Sequence, residues 1–185
     1  MATAEAGKLK KTVVLVGMMG AGKTAVGRAL AQRLGVPFLD SDAEIEAAAA
    51  MTIAEIFSRD GEAFFRKRES EVIDRLLGGE CCVLSTGGGA FLMPRNRALI
   101  SAKGVSVWLN ADLKLLWSRV KNKDTRPLLR TPDPFKTLKD LYEARVPIYA
   151  KADLEVASCA GYTIDKMTTQ VIAALATRPD VLEAP

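Results

Sequence analysis

Between Gly17 and Thr24 the chain reads Gly-Met-Met-Gly-Ala-Gly-Lys-Thr, so that Gly17, Gly22, Lys23 and Thr24 satisfy the spacing G-x-x-x-x-G-K-[ST]. Glycines so placed let successive backbone N–H groups turn inward around phosphate oxygens, and a helix starting behind them adds partial positive charge. Lys23 then reaches the β- and γ-phosphates of a nucleotide, and Thr24 offers a hydroxyl to Mg2+. A bare strand-to-helix turn needs neither group at those offsets. Further on, Asp40-Ser41-Asp42 supplies two carboxylates. Asp40 suits Mg2+ binding through water, and Asp42 suits holding an acceptor hydroxyl in line or taking its proton. The alternative is that Asp42 or Ser41 merely caps a helix over residues 43–50. Gly87-Gly88-Gly89 exposes backbone N–H groups and permits close ligand approach. Arg66, Arg68, Arg126 and Arg145 carry the guanidinium forks that hold carboxylates and phosphates, and residue type alone does not choose among them.

These groups serve chemistry only if elements bring them together. Short apolar runs alternate with stretches of helical period, which predicts βαβ units and a parallel sheet. Strands are expected at residues 12–16, 37–40, 81–86, 105–109 and, more weakly, 154–157. The helix from Lys23 to Leu34 carries Val26, Leu30, Ala31 and Leu34 on one face and stops at Gly35. Residues 41–77 read as helix in three pieces, with a capping-box pair at Thr52 and Glu55 and a break at Asp60-Gly61. Pro94 opens another helix that closes at Gly104. Residues 121–136, polar and without clear period, read as a mobile loop. In an open parallel sheet the carboxyl ends of the strands share one edge, so the loop at Gly17, the carboxylates at Asp40 and Asp42, and the triple glycine converge on one crevice.

Composition narrows the chemistry further. The chain has 185 residues, 49% hydrophobic and 26% charged, which fits one compact domain. With no histidine and only Cys81, Cys82 and Cys159, a Ser/His/Asp triad and ordinary zinc sites are excluded. The net charge of +4 suits anionic small molecules, and no basic run with interleaved aromatics points to nucleic acid. No stretch approaches the roughly 20 apolar residues of a membrane span, and Met1 to Lys11 lacks the apolar block of a signal peptide. A cytoplasmic protein, not bound to membrane and monomeric, is expected.

Taken together and in order, the loop Gly17 to Thr24, Asp40-Ser41-Asp42, Phe65-Arg66 with Glu69, the triple glycine, Arg126-Pro-Leu-Leu and Arg145-Val-Pro-Ile-Tyr resemble the shikimate kinases over roughly residues 13–156. The resemblance implies a three-layer α/β P-loop kinase fold, with a central five-stranded parallel sheet flanked by helices and a mobile lid. It implies one domain over residues 1–185, with a flexible leader at 1–10, a shikimate-binding helical region at about 41–77 and the lid at about 121–136. The activity implied is transfer of the γ-phosphoryl of ATP to the 3-hydroxyl of shikimate, a step towards chorismate and the aromatic amino acids, with Mg2+ as cofactor. Gly20, Ala21, Gly22, Lys23, Thr24 and Ala25 are then expected on the nucleotide, with Arg119 on the adenine and Arg126 swinging over the phosphates. Thr24 and Asp40 would manage Mg2+. Asp42 would hold and deprotonate the acceptor hydroxyl, Arg66 and Arg145 would clamp the shikimate carboxylate, and Gly87, Gly88 and Gly89 would meet the ring hydroxyls. Lys23, Asp42 and Arg126 form the catalytic set. Residues 157–162 offer nothing that matches the family's base-binding segment.

Two other readings share part of this evidence. Another small-metabolite kinase, such as gluconate kinase, has the same phosphate loop and a carboxylated substrate. A nucleotide-dependent switch needs a guanine-selecting Asn-Lys-x-Asp after a strand. Asn122-Lys123-Asp124-Thr125 has its acid one place early, in a polar loop.

Overall fold

The computed structural model describes residues 6–123 and 127–185. They run as β1 (Lys8–Leu9), β2 (Thr12–Val16), α1 (Lys23–Leu34), β3 (Phe38–Asp40), α2 (Ser41–Ala49), α3 (Ile53–Leu77), β4 (Val83–Ser85), α4 (Pro94–Lys103), β5 (Gly104–Ala111), α5 (Leu113–Val120), α6 (Pro134–Tyr149), β6 (Leu154–Ser158), α7 (Ile164–Ala176) and β7 (Leu182–Glu183). Five of the strands form a parallel sheet in the order β3-β4-β2-β5-β6. The β2 sequence Thr-Val-Val-Leu-Val is buried along its whole length, as a β-branched central strand covered on both faces requires.

Right-handed crossovers dictate where the helices go. The step from β2 out to β3 runs opposite to the steps β3 to β4, β4 to β5 and β5 to β6, so α1 lies on one face and α2 to α6 on the other. Accordingly α1 packs on α7, and α3 packs on α4. The main core fills both layers around the sheet. A second small cluster of Ile45, Ile56, Phe65 and Val72 gives the α2–α3 block its own interior, against which Phe57 packs with its ring centroid 4.7 Å from that of Phe65, the rings tilted by 38°.

The helical region at 41–77 has the three pieces expected. The Thr52 hydroxyl accepts from Glu55 N at 3.1 Å and Glu55 accepts from Thr52 N at 3.2 Å, the reciprocal cap read from the sequence. Gly61 breaks α3 at φ 85° and ψ 172°, backbone that a side chain would strain. Two expectations are corrected. The leader does not extend to residue 10, because Lys8 and Leu9 pair antiparallel with Glu183 and Leu182 in a two-stranded sheet, where Leu9 is buried. The loop expected over 121–136 ends early: Asp133 caps Lys136 N at 3.1 Å and α6 starts at Pro134, with a 3-10 turn at Pro127–Leu129 before it. Proline at the first turn of a helix loses no hydrogen bond, so what looked like a loop marker is a helix start.

Candidate active site

The phosphate loop lies between β2 and α1, where the sequence puts it. Gly20 and Gly22 take φ of 82° and 93°, values that bring consecutive N–H groups to one side. The Lys23 ammonium reaches back over the loop and donates to Gly17 O at 2.6 Å and Met18 O at 3.2 Å. From α5, Arg119 donates to Gly20 O at 2.9 Å and to Ser158 Oγ at 3.4 Å, bracing the loop against the end of β6.

At the next strand end, Asp40 turns out to be the cap of α2. Its Oδ1 accepts from Asp42 N at 2.9 Å and Ala43 N at 3.1 Å, because the helix begins directly at Ser41. Neither Ser41 nor Asp42 does this work. Ser41 instead is fully buried and its hydroxyl accepts from Gly87 N at 3.3 Å, tying the start of α2 to the triple glycine. That leaves the Asp42 carboxylate facing inward.

The triple glycine explains itself through what sits on it. A Cβ built on Gly87 would lie 2.7 Å from Asp42 Oδ1, one on Gly88 would lie 2.9 Å from Arg145 Nη1, and one on Gly89 would lie 2.7 Å from Arg66 Nη1. Each glycine thus clears room for a different charged side chain, and the three converge over one strip of backbone. Arg66 is held by the buried Glu69, whose Oε1 accepts at 2.9 Å. The strip is anchored from below: Asn96, fully buried, donates to Ala90 O at 2.9 Å and accepts from Ser70 at 2.6 Å. From the sequence, Asn96 and Ser70 carry no signal, since short polar residues inside a helical pattern read as surface, and Ser41 reads only as a possible helix cap.

Burial raises the Asp42 pKa, with Asp40 and Glu46 adding to the effect and Lys23 and Arg66 opposing it. Burial likewise raises Glu69, against the hydrogen bond and charge of Arg66. A folded-state pKa above the unfolded value of 3.8 means that Asp42 contributes stability below that value and loses it as pH rises through the raised one. At neutral pH the ionised group therefore costs stability. Asp42→Asn is expected to raise the melting temperature near pH 7 and to leave it unchanged well below pH 3.8, as thermal scans at the two pH values would show.

Loop, carboxylates, glycines and arginines line a single cavity of about 1200 Å3. The lining takes in Gly20, Ala21, Gly22, Lys23, Thr24, Ala25 and Arg119 from the phosphate loop, α1 and α5, and Asp42, Arg66, Glu69, Gly87 to Gly89 and Arg145 from α2, α3, the glycine strip and α6, with Asp40 among them. Ser158, Tyr162 and Ile164, at the end of β6 and the start of α7, also line it. This is the segment in which the sequence offered no match. Arg126 lies outside the described residues, while Lys123 and Leu128 on either side of it reach the same cavity.

The model of one protein family, described as shikimate kinase, matches residues 19–176. The chain belongs to the shikimate kinase family. The shikimate kinase of Ruegeria pomeroyi is 72% identical over 178 residues, 96% of this chain and 91% of the relative. That of Cereibacter sphaeroides is 67% identical over 176 residues, covering 95% and 88% of the two chains. Among solved structures, a shikimate kinase from Acinetobacter baumannii in complex with shikimate superposes with a TM-score of 0.82 at 38% identity, over 91% of this chain and 94% of that one. A gluconokinase from Sinorhizobium meliloti has a TM-score of 0.61 at 18% identity, which shows a shared fold and no more. Shikimate kinase is thus supported over the gluconate kinase and switch readings, and as a member of its family this chain is an ATP-dependent phosphotransferase acting on a hydroxyl group. Among the described residues no helix is long and apolar enough to cross a membrane.

Proposed function

We propose that this shikimate kinase binds ATP and shikimate at opposite ends of the one cavity and transfers the γ-phosphoryl to the 3-hydroxyl across its middle, with the residue roles that follow. What carries the reading is the glycine strip: Asp42, Arg145 and Arg66 each crowd one of its three residues, within the cavity that also holds the phosphate loop. Phosphoryl transfer asks a protein mainly to place two reactants in line and to neutralise charge on the transferring group. Gly20 to Ala25 hold the phosphates by backbone N–H groups, and Lys23 swings from its carbonyl partners to the β- and γ-oxygens. Arg119, already on Gly20 and facing Ser158, closes the base end beside Tyr162.

At the acceptor end Asp42 orients the 3-hydroxyl and takes its proton. Its raised pKa makes it a better base than an exposed carboxylate, while Lys23 and Arg66 keep the ionised form accessible. Arg66 and Arg145 form a two-sided clamp for the shikimate carboxylate, and the backbone of Gly87 to Gly89 meets the ring hydroxyls. For Mg2+, Thr24 and Asp40 supply a hydroxyl and a carboxylate in the same cavity, a hard-oxygen pair that suits an ion bound mostly through water and phosphate. When bound there, Mg2+ neutralises charge on the β- and γ-phosphates. Asp40, with Oδ1 committed to the helix cap, contributes through its other oxygen. By resemblance to the family, Arg126 is assigned to the transferring phosphoryl, and the part of 121–136 that precedes α6 to a lid. The chain works as a single domain, a cytoplasmic monomer on small soluble substrates.

Gly89→Ala tests this arrangement without replacing a charged residue. The added methyl falls on the Arg66 guanidinium, whose fork Glu69 holds in place, so the arginine must leave its site. The Michaelis constant for shikimate is expected to rise about tenfold, the value of one charge-assisted contact, with that for ATP unchanged. An equal rise for both substrates in steady-state kinetics would contradict the division of the cavity.

A further inference from the structure

Tyr149 ends α6 four residues after Arg145, so the two side chains share one helix face. Its ring is 1% exposed and is fixed by Phe91 at 6.5 Å and Trp108 at 6.3 Å between centroids. An aromatic in that setting passes for ordinary core. Its hydroxyl is not ordinary: it donates to Gly88 O at 2.7 Å, the middle residue of the glycine strip, while Arg145 Nη1 lies 2.9 Å from where a Gly88 Cβ would be. Phenol, guanidinium and Gly88 backbone therefore meet at one point.

We propose that Tyr149 is a positioning residue for the acceptor: its hydroxyl, seated by the core and anchored on Gly88 O, sets the angle at which Arg145 presents its fork to the shikimate carboxylate. This rests on the carboxylate role given to Arg145 above. A phenol has one proton and it is committed to Gly88, so Tyr149 has none to give a substrate and acts through Arg145. Arg145 carries donors only, and its guanidinium sits against Gly88, where the remaining lone pairs of the phenol oxygen face its charge. Burial raises the phenol pKa, so the proton stays in place throughout the working range. The local helix does not fix Arg145 by itself, since Pro147 between the two residues removes one backbone hydrogen bond from the last turns of α6.

Tyr149→Phe keeps the ring and its packing and removes only the hydroxyl. Steady-state kinetics on the wild type, Tyr149→Phe, Arg145→Ala and the double variant separate the possibilities. The Michaelis constant for shikimate is expected to rise about 3- to 10-fold in Tyr149→Phe, with turnover and the constant for ATP within about twofold of wild type. In the Arg145→Ala background the same change is expected to do nothing more, because the group it positions is gone. An equal multiplicative rise in both backgrounds, or a rise for ATP and shikimate together, would overturn the proposal and leave Tyr149 as packing. Arg145→Ala without effect on shikimate would overturn the carboxylate assignment itself, a result visible from that single variant. Circular dichroism on all four confirms that folded proteins are compared.

Discussion

Asp42→Asn is expected to lower turnover by about 10²- to 10⁴-fold, the range attributable to a positioned general base, while the affinity for ATP stays close to that of the wild type. The substitution preserves shape and removes the charge that accepts the proton. It leaves the helix start intact, because Asp40 and not Asp42 caps α2. The same variant has a pH signature. Burial holds the Asp42 pKa above the carboxylate value of 3.8, so kcat/KM of the wild type should climb with pH through that raised value as the base ionises, and the variant should lack this limb. Single-turnover assays across pH give both readings. Unchanged turnover would reduce Asp42 to a polar neighbour of Gly87.

Arg145→Ala carries the second large effect. Losing a charge-assisted hydrogen bond to a carboxylate costs about 1.5 to 3 kcal/mol, or about 10- to 150-fold in apparent shikimate binding. Arg145 lies against Gly88, and in the proposed division of the cavity the nucleotide sits on the phosphate loop and Arg119. Nucleotide binding, measured by calorimetry with ADP, should therefore change little. Damage of similar size to both would mean that Arg145 supports the whole cavity and not the carboxylate.

The parts legible in the sequence are those in which residue type and place coincide. Thr12 to Val16 reads as a buried strand because every residue is β-branched or Leu, and α1 reads as a helix because Val26, Leu30, Ala31 and Leu34 share one face and Gly35, which takes φ 67°, stops it. Lys23 and Thr24 stand out because a bare strand-to-helix turn needs neither at those offsets. The parts that were not legible depend on contacts between distant segments. Lys8 and Leu9 form a strand only because Leu182 and Glu183 return beside them, and a two-residue strand has no pattern of its own. Residue type suggests Asp40 for Mg2+ and Asp42 for the acceptor hydroxyl, with Asp42 or Ser41 as the alternative cap, whereas the cap falls to Asp40 because β3 passes into α2 with no intervening loop. The triple glycine was read as exposed N–H groups, whereas its tightest constraint is the space that Asp42, Arg145 and Arg66 occupy. Ser158 and Tyr162 reach the cavity through the geometry of the β6–α7 junction, which no local motif announces.

The central claim is that one cavity couples a nucleotide to shikimate in particular. The direct measurement is ADP release from Mg-ATP by the purified protein with shikimate, gluconate, quinate or no acceptor. Turnover with shikimate and only background release in the other three is the expected result. Comparable ADP release with gluconate, or with no acceptor at all, would contradict the assignment of Arg66, Arg145 and the glycine strip to a shikimate site.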